Sequence, residues 1–140
     1  MKLSPGATQH DKNAHYRSVL KAYVDAVCRD DVDAVCALFA PDSIVEDPIG
    51  IPVREGAEAI RAFYAHVAER QVRLRILGPV TGSKGNAAAM PLRIEVLGAV
   101  LNCISVARFD GQGLISHYMA HWGPGDYDEA SGDPSARQKA

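Results

Sequence analysis

The chain has 140 residues, 47% of them hydrophobic and 23% charged, with a formal net charge of −2. That length makes one domain, with enough apolar side chains for a core that needs no disulfide or metal staple. The slight negative charge excludes the basic face that a nucleic-acid binder carries, and no apolar run is long enough to span a bilayer.

The N-terminal segment has no apolar run of the signal-peptide kind. Residues 1–12 are polar, contain Pro5 and Gly6, and read as a loose arm. From about residue 12 to 29, Tyr16, Leu20, Tyr23 and Val27 form one helical stripe. Asp30 or Asp31 can cap a second short helix from Val32 to Phe39. Ser43–Glu46 reads as a short strand stopped by Pro48 and Gly50. Gly56 opens a third helix, with Ile60, Phe63, Tyr64 and Val67 at helical spacing.

From residue 71 the period changes to that of strands. The runs Val72–Val80, Ala87–Leu97, Val100–Phe109 and Leu114–Trp122 are separated by short glycine-containing turns, which implies antiparallel hairpins. The tail from Gly123 onward loses apolar periodicity and reads as partly disordered. The expected organisation is therefore a flexible arm (1–12), one domain (13–123) and a flexible tail (124–140). Helices followed by an antiparallel meander give an α+β fold. A curved sheet wrapped on the long first helix leaves a cone with an open mouth, a natural place for an apolar ligand.

Several residues in this frame could carry chemistry. Asp47 follows an apolar strand and shares a face with Val45, so it points inward. An inward carboxylate among apolar neighbours suggests a tuned base, although an Asp before Pro also serves as an ordinary turn residue. Tyr23 lies on the buried helical stripe, where its hydroxyl is either a donor in a pocket or a structural hydrogen bond. Tyr64 and Tyr16 share that ambiguity. Ser105 is the one hydroxyl in the row Leu101, Cys103, Ser105, Ala107, Phe109, and could aim at a ligand or bond a neighbouring strand. Trp122 ends the last strand on the face of Tyr118 and Ala120, where its indole N–H can donate to a carboxylate.

His117 and His121 have the spacing of a helical metal pair. On a strand they stand about 13 Å apart, so no metal site is expected. Gly111-x-Gly113 is a hairpin turn and not a phosphate loop, and no Ser or Cys sits in a nucleophile elbow. Cys28, Cys36 and Cys103 are odd in number and lack the C-x-x-C spacing. They read as small buried hydrophobes in a reducing cytoplasm.

Ala22-Tyr23-Val24, the run Ala37 to Gly50 that contains Glu46-Asp47-Pro48, and Ala59 to Tyr64 together resemble the bacterial delta-5-3-ketosteroid isomerases. So do Gly78-Pro79-Val80, Ala89 to Glu95, Arg108-Phe109-Asp110 and the closing His121-Trp122. The match runs in order from about residue 16 to 122. It implies the cone-shaped nuclear transport factor 2-like fold and a homodimer through the outer sheet face, where Ile104 and Val106 stand.

The resemblance also implies roles. Asp47 matches the general base and Tyr23 the oxyanion donor, with Tyr64 supporting Tyr23. Phe39 stands where some members carry a further supporting tyrosine. Trp122 matches an indole that bonds the base, while Met90 and Tyr118 fall on pocket-lining positions. One position departs, because Ser105 occupies the place of the family's second oxyanion donor, a protonated Asp. Replacing Ser105 by Asp is then expected to raise activity.

The implied activity is isomerisation of an apolar 3-oxo-delta-5-steroid without a cofactor. The alternatives are a polyketide cyclase-like or dehydratase-like enzyme, or a non-catalytic carrier of steroids or other apolar ligands.

Overall fold

The structure is a computed structural model that describes residues 2–128. Helix α1 runs Gln9–Cys28. It starts earlier than the expected residue 12 because Thr8 and Asp11 form a reciprocal cap: the Thr8 hydroxyl accepts from the Asp11 amide at 3.0 Å, and the Asp11 carboxylate accepts from the Thr8 amide at 3.1 Å. The expected arm is thus helical in its last residues, and Leu3 docks on the core, its amide donating to the Gln112 carbonyl at 3.1 Å.

Helix α2, Val32–Cys36, is capped by Asp31, whose carboxylate accepts from the Ala34 amide at 3.0 Å. It is shorter than expected. Phe39 belongs instead to strand β1, Phe39–Glu46, because the Leu38 carbonyl is taken by the amide of Ile115 at 2.9 Å. Strand β2 is only Arg54–Glu55 and was not expected. Helix α3 covers Ala57–Glu69, followed by β3 (Arg73–Ile76), β4 (Ala87–Val96), β5 (Ala99–Phe109) and β6 (Ile115–His121). Gly78 and Pro79 cut β3 short of the expected Val80.

The six strands form one sheet in the order β2-β1-β6-β5-β4-β3. Strands β3 to β6 make the expected antiparallel meander. The sheet as a whole is mixed, because β1 pairs parallel to β6, with Val45 opposite Tyr118. Strand β1 enters between helices, so a long connection and not a hairpin brings it to its neighbour, and that permits parallel pairing.

Three helices on one face of a curved sheet bury a single core. Tyr16 stacks on Phe109 with ring centroids 4.1 Å apart, and Leu20, Ile60, Leu92 and Ile115 are fully buried around them. The first residues expected in the tail are held in place: Asn102 donates to Asp126 at 2.9 Å, Asp128 donates to Val100 at 2.7 Å, and Tyr127 bridges Leu101. Residues 129–140 lie outside the described residues. Among the described residues no helix is long and apolar enough to cross a membrane.

Candidate active site

The cone encloses a cavity of about 470 Å³ between α1, α3 and the concave face of the sheet. That volume suits a small polycyclic ligand. Its walls are mostly apolar, built from Val27, Val67, Leu74, Ile94 and Leu101. The polar groups that reach it are few: Asp47, Tyr23, Tyr64, Trp122 and Arg54, with His66, Arg70 and Tyr127 also lining it.

Asp47 follows β1, and the alternation that buries Ser43 and Val45 turns its carboxylate inward. The Trp122 indole N–H donates to Asp47 Oδ1 at 2.9 Å. Parallel pairing of β1 with β6 makes this bond possible, since it carries the end of β6 past the end of β1. Burial raises the Asp47 pKa above the ordinary carboxylate range. The Trp122 hydrogen bond and the Arg54 charge both pull it back. The result is a carboxylate that is harder to ionise than a surface Asp and correspondingly more basic.

Tyr23 reaches the cavity from α1 and Tyr64 from α3, and their hydroxyl oxygens are 2.8 Å apart in one hydrogen bond. Both phenols are pushed well above their ordinary pKa, first by burial. Both therefore keep their protons and act as donors. A pair of phenols can pass donation along, one to the other and the second to a ligand oxygen.

The remaining sequence-derived candidates do not line the cavity. Ser105 faces inward on β5 as expected, but it is 1% exposed and its oxygen accepts from the Tyr118 hydroxyl at 2.7 Å. On its other side it meets Cys103 Sγ at 3.6 Å. Tyr118, expected to line the pocket, is instead sealed beneath Tyr23, the two rings stacked at 4.7 Å. Met90 is fully buried and Phe39 packs against Tyr23 and Tyr64 from the core side. The physical reason is one large side chain. Tyr118 packs under the Tyr23 ring and its hydroxyl is bonded to Ser105, so both stay in the core.

His117 and His121 project to the outer face as expected, His117 Nε2 meeting Glu46 Oε1 at 2.7 Å and His121 Nδ1 donating to the Ile104 carbonyl at 3.1 Å. Arg54 was not singled out from the sequence. It sits in a two-residue strand, too short to show periodicity, inside a Pro- and Gly-rich loop.

A cone-shaped α+β domain with a half-buried carboxylate, two buried phenols and an apolar cavity defines a class of small-molecule site. Residues 20–123 match the SnoaL-like domain, and the chain belongs to that family, with the nuclear transport factor 2-like fold. It is 34% identical over 118 residues to a steroid Delta-isomerase of Nocardioides simplex, a match covering 81% of this chain and 94% of the relative. It is also similar in fold to the solved structure of the epoxide hydrolase/cyclase-like enzyme SalBIII, of pyran ring formation in salinomycin. That similarity has a TM-score of 0.77 at 24% identity, over 81% of this chain and 95% of the other.

Proposed function

We propose that the chain isomerises 3-oxo-delta-5-steroids to their conjugated 3-oxo-delta-4 isomers. The observation that carries this reading is the Asp47 carboxylate, held by Trp122, in the same apolar cavity as the Tyr23–Tyr64 hydroxyl pair. The 34% identity to a steroid Delta-isomerase supports it.

In this mechanism ionised Asp47 takes the proton from C4, between the ketone and the C5=C6 double bond. The C4–H electrons move into the conjugated system and the 3-oxygen becomes a dienolate oxyanion. Tyr23, backed by Tyr64, donates to that oxygen as its charge develops, in an enclosed site where such a bond is strongest. Asp47 then delivers the proton to C6 and the electrons return, leaving the double bond between C4 and C5. The substrate's own ketone is the electron sink, so no cofactor takes part.

Ser105 is bonded away from the cavity, so Tyr23 is the direct donor to the oxyanion and Tyr64 supports it through their shared hydrogen bond. That rearrangement also favours a second reading, a cyclase-like or dehydratase-like reaction using the same base. Non-catalytic binding is the third. Incubation with 5-androstene-3,17-dione, followed by ultraviolet absorbance of the conjugated enone, tests the proposal. Growth of that absorbance with enzyme concentration is expected, and binding without it would overturn the isomerase reading.

The chain is further proposed to act as a homodimer. Ile104 is 55% exposed on the convex sheet face, in register with Pro91 and His121. Sedimentation at micromolar concentration should give twice the chain mass, and a single-chain mass would remove the proposal. A cytoplasmic location fits the free thiols Cys28, Cys36 and Cys103, which a reducing compartment preserves.

A further inference from the structure

Arg54 lines the cavity, the mechanism leaves it unused, and one of its guanidinium nitrogens is unsatisfied. Its guanidinium carbon lies 4.1 Å from the centroid of the Phe63 ring, a cation–π contact that fixes the group against α3. Its Nη1 is buried and has no hydrogen-bond partner among the described residues. No carboxylate among the described residues lies within 4.0 Å of it, although Arg29, Arg61 and Arg73 each pair with an Asp. An orphaned buried N–H is costly, and native structures rarely keep one without a return.

We infer that Arg54 is a positioning residue for the reaction: held by Phe63 beside the cavity, its charge keeps Asp47 ionised in an apolar site. The groups around Asp47 leave Arg54 as the effective counter-charge. Trp122 from the end of β6 is neutral. Tyr23 from α1, Tyr64 from α3, Tyr118 from β6 and Cys103 from β5 all have raised pKa values and stay neutral. His66 from α3 and Arg70 just beyond its end line the cavity but are exposed to solvent, and His66 faces Glu69 at 3.6 Å. Water screens those two far more than it screens a guanidinium with a buried nitrogen.

Holding the cation beyond direct contact matters for the chemistry. A contact ion pair would occupy the carboxylate and suppress its basicity, whereas a charge acting through space favours ionisation and leaves an oxygen free to meet the substrate.

The role of Arg54 rests on Asp47 being the base, so its test has one arm that does not depend on turnover. The chain is prepared with carbon-13 aspartate, the Asp47 carboxyl resonance is identified by its loss in Asp47→Asn, and its titration is followed in wild type, Arg54→Met and Arg54→Lys. Arg54→Met should move the Asp47 titration to higher pH, while Arg54→Lys should return it most of the way. In the kinetic arm, the acid limb of kcat/KM for 5-androstene-3,17-dione should move the same way. Activity below the limb should fall roughly threefold to tenfold, with little change above it.

If Arg54→Met does not fold, Phe63→Leu, which frees the guanidinium, should give a smaller shift in the same direction. An unmoved Asp47 titration in a folded variant would overturn the inference, as would a loss of activity equal at every pH. A shifted titration with no isomerase activity would uphold the coupling and instead overturn the steroid reading.

Discussion

Two polar clusters sit a few ångströms apart in this cone, and only one is open to a ligand. Asp47 with Trp122, and Tyr23 with Tyr64, line the cavity. Tyr118 with Ser105 and Cys103 form a second chain of hydroxyls and thiol that is sealed into the core. The Tyr23 ring is the partition, stacked on Tyr118 on one side and reaching the cavity with its hydroxyl on the other. Residue 105 shows that an inward position on a strand does not by itself give access to the site. Access is decided by the side chain standing over it, and a tyrosine at 118 both covers Ser105 and satisfies its hydroxyl.

The sharpest break of this comparison is at the cavity base. Asp47→Asn should lower turnover by roughly 10² to 10⁴-fold while ligand binding persists, because Asn keeps the shape but cannot take a proton. Trp122 is the only tryptophan in the chain and bonds this side chain, so its fluorescence reports that binding. Retention of more than about a tenth of the activity would remove Asp47 from the role.

The same variant carries a stability signature. Burial raises the folded-state pKa of Asp47, so the folded chain binds that proton more tightly than the unfolded one. Stability on this account is fullest below the ordinary Asp pKa and is lost as pH rises through the raised value. Asp47→Asn should therefore melt higher than wild type at neutral pH, and the difference should shrink in acid. Equal melting temperatures at all pH values would show that the carboxylate is well solvated.

Tyr23→Phe comes next, with an expected loss of roughly 10² to 10³-fold in turnover and a smaller loss in affinity, as for one oxyanion donor. Equal losses in both would make Tyr23 a packing residue. The sealed cluster should respond least. Ser105→Asp, expected from the sequence to raise activity, should change turnover by less than about threefold, because Tyr118 still covers the new carboxyl. Combining it with Tyr118→Met opens the path to the cavity and should give the gain. A gain in the single variant would show that residue 105 already reaches the ligand.

Much of this site was legible in the sequence. Alternation alone turned Asp47 inward, placed Ser105 on the concave face and set Trp122 at the end of its strand. The helical stripe put Tyr23 on the buried side of its helix, and the family resemblance, not the stripe, gave it a role. What alternation could not give was depth, since whether Ser105, Met90 or Tyr118 meets the cavity depends on packing between distant strands. The parallel pairing of β1 with β6, which joins Trp122 to Asp47, is likewise non-local and left no periodic trace. Arg54 escaped notice because a two-residue strand has no period to read.

In the proposed mechanism one carboxylate in the cavity moves one proton between two carbons of the substrate. Deuterium placed at C4 of 5-androstene-3,17-dione follows that proton directly, by mass spectrometry and NMR of the product made in ordinary water. The label should appear at C6 of the product formed by the wild type, and Asp47→Asn should form no such product beyond the uncatalysed background. A wild-type product with no deuterium at C6 would contradict this mechanism, because the hydrogen taken from C4 would then not be the one delivered to C6.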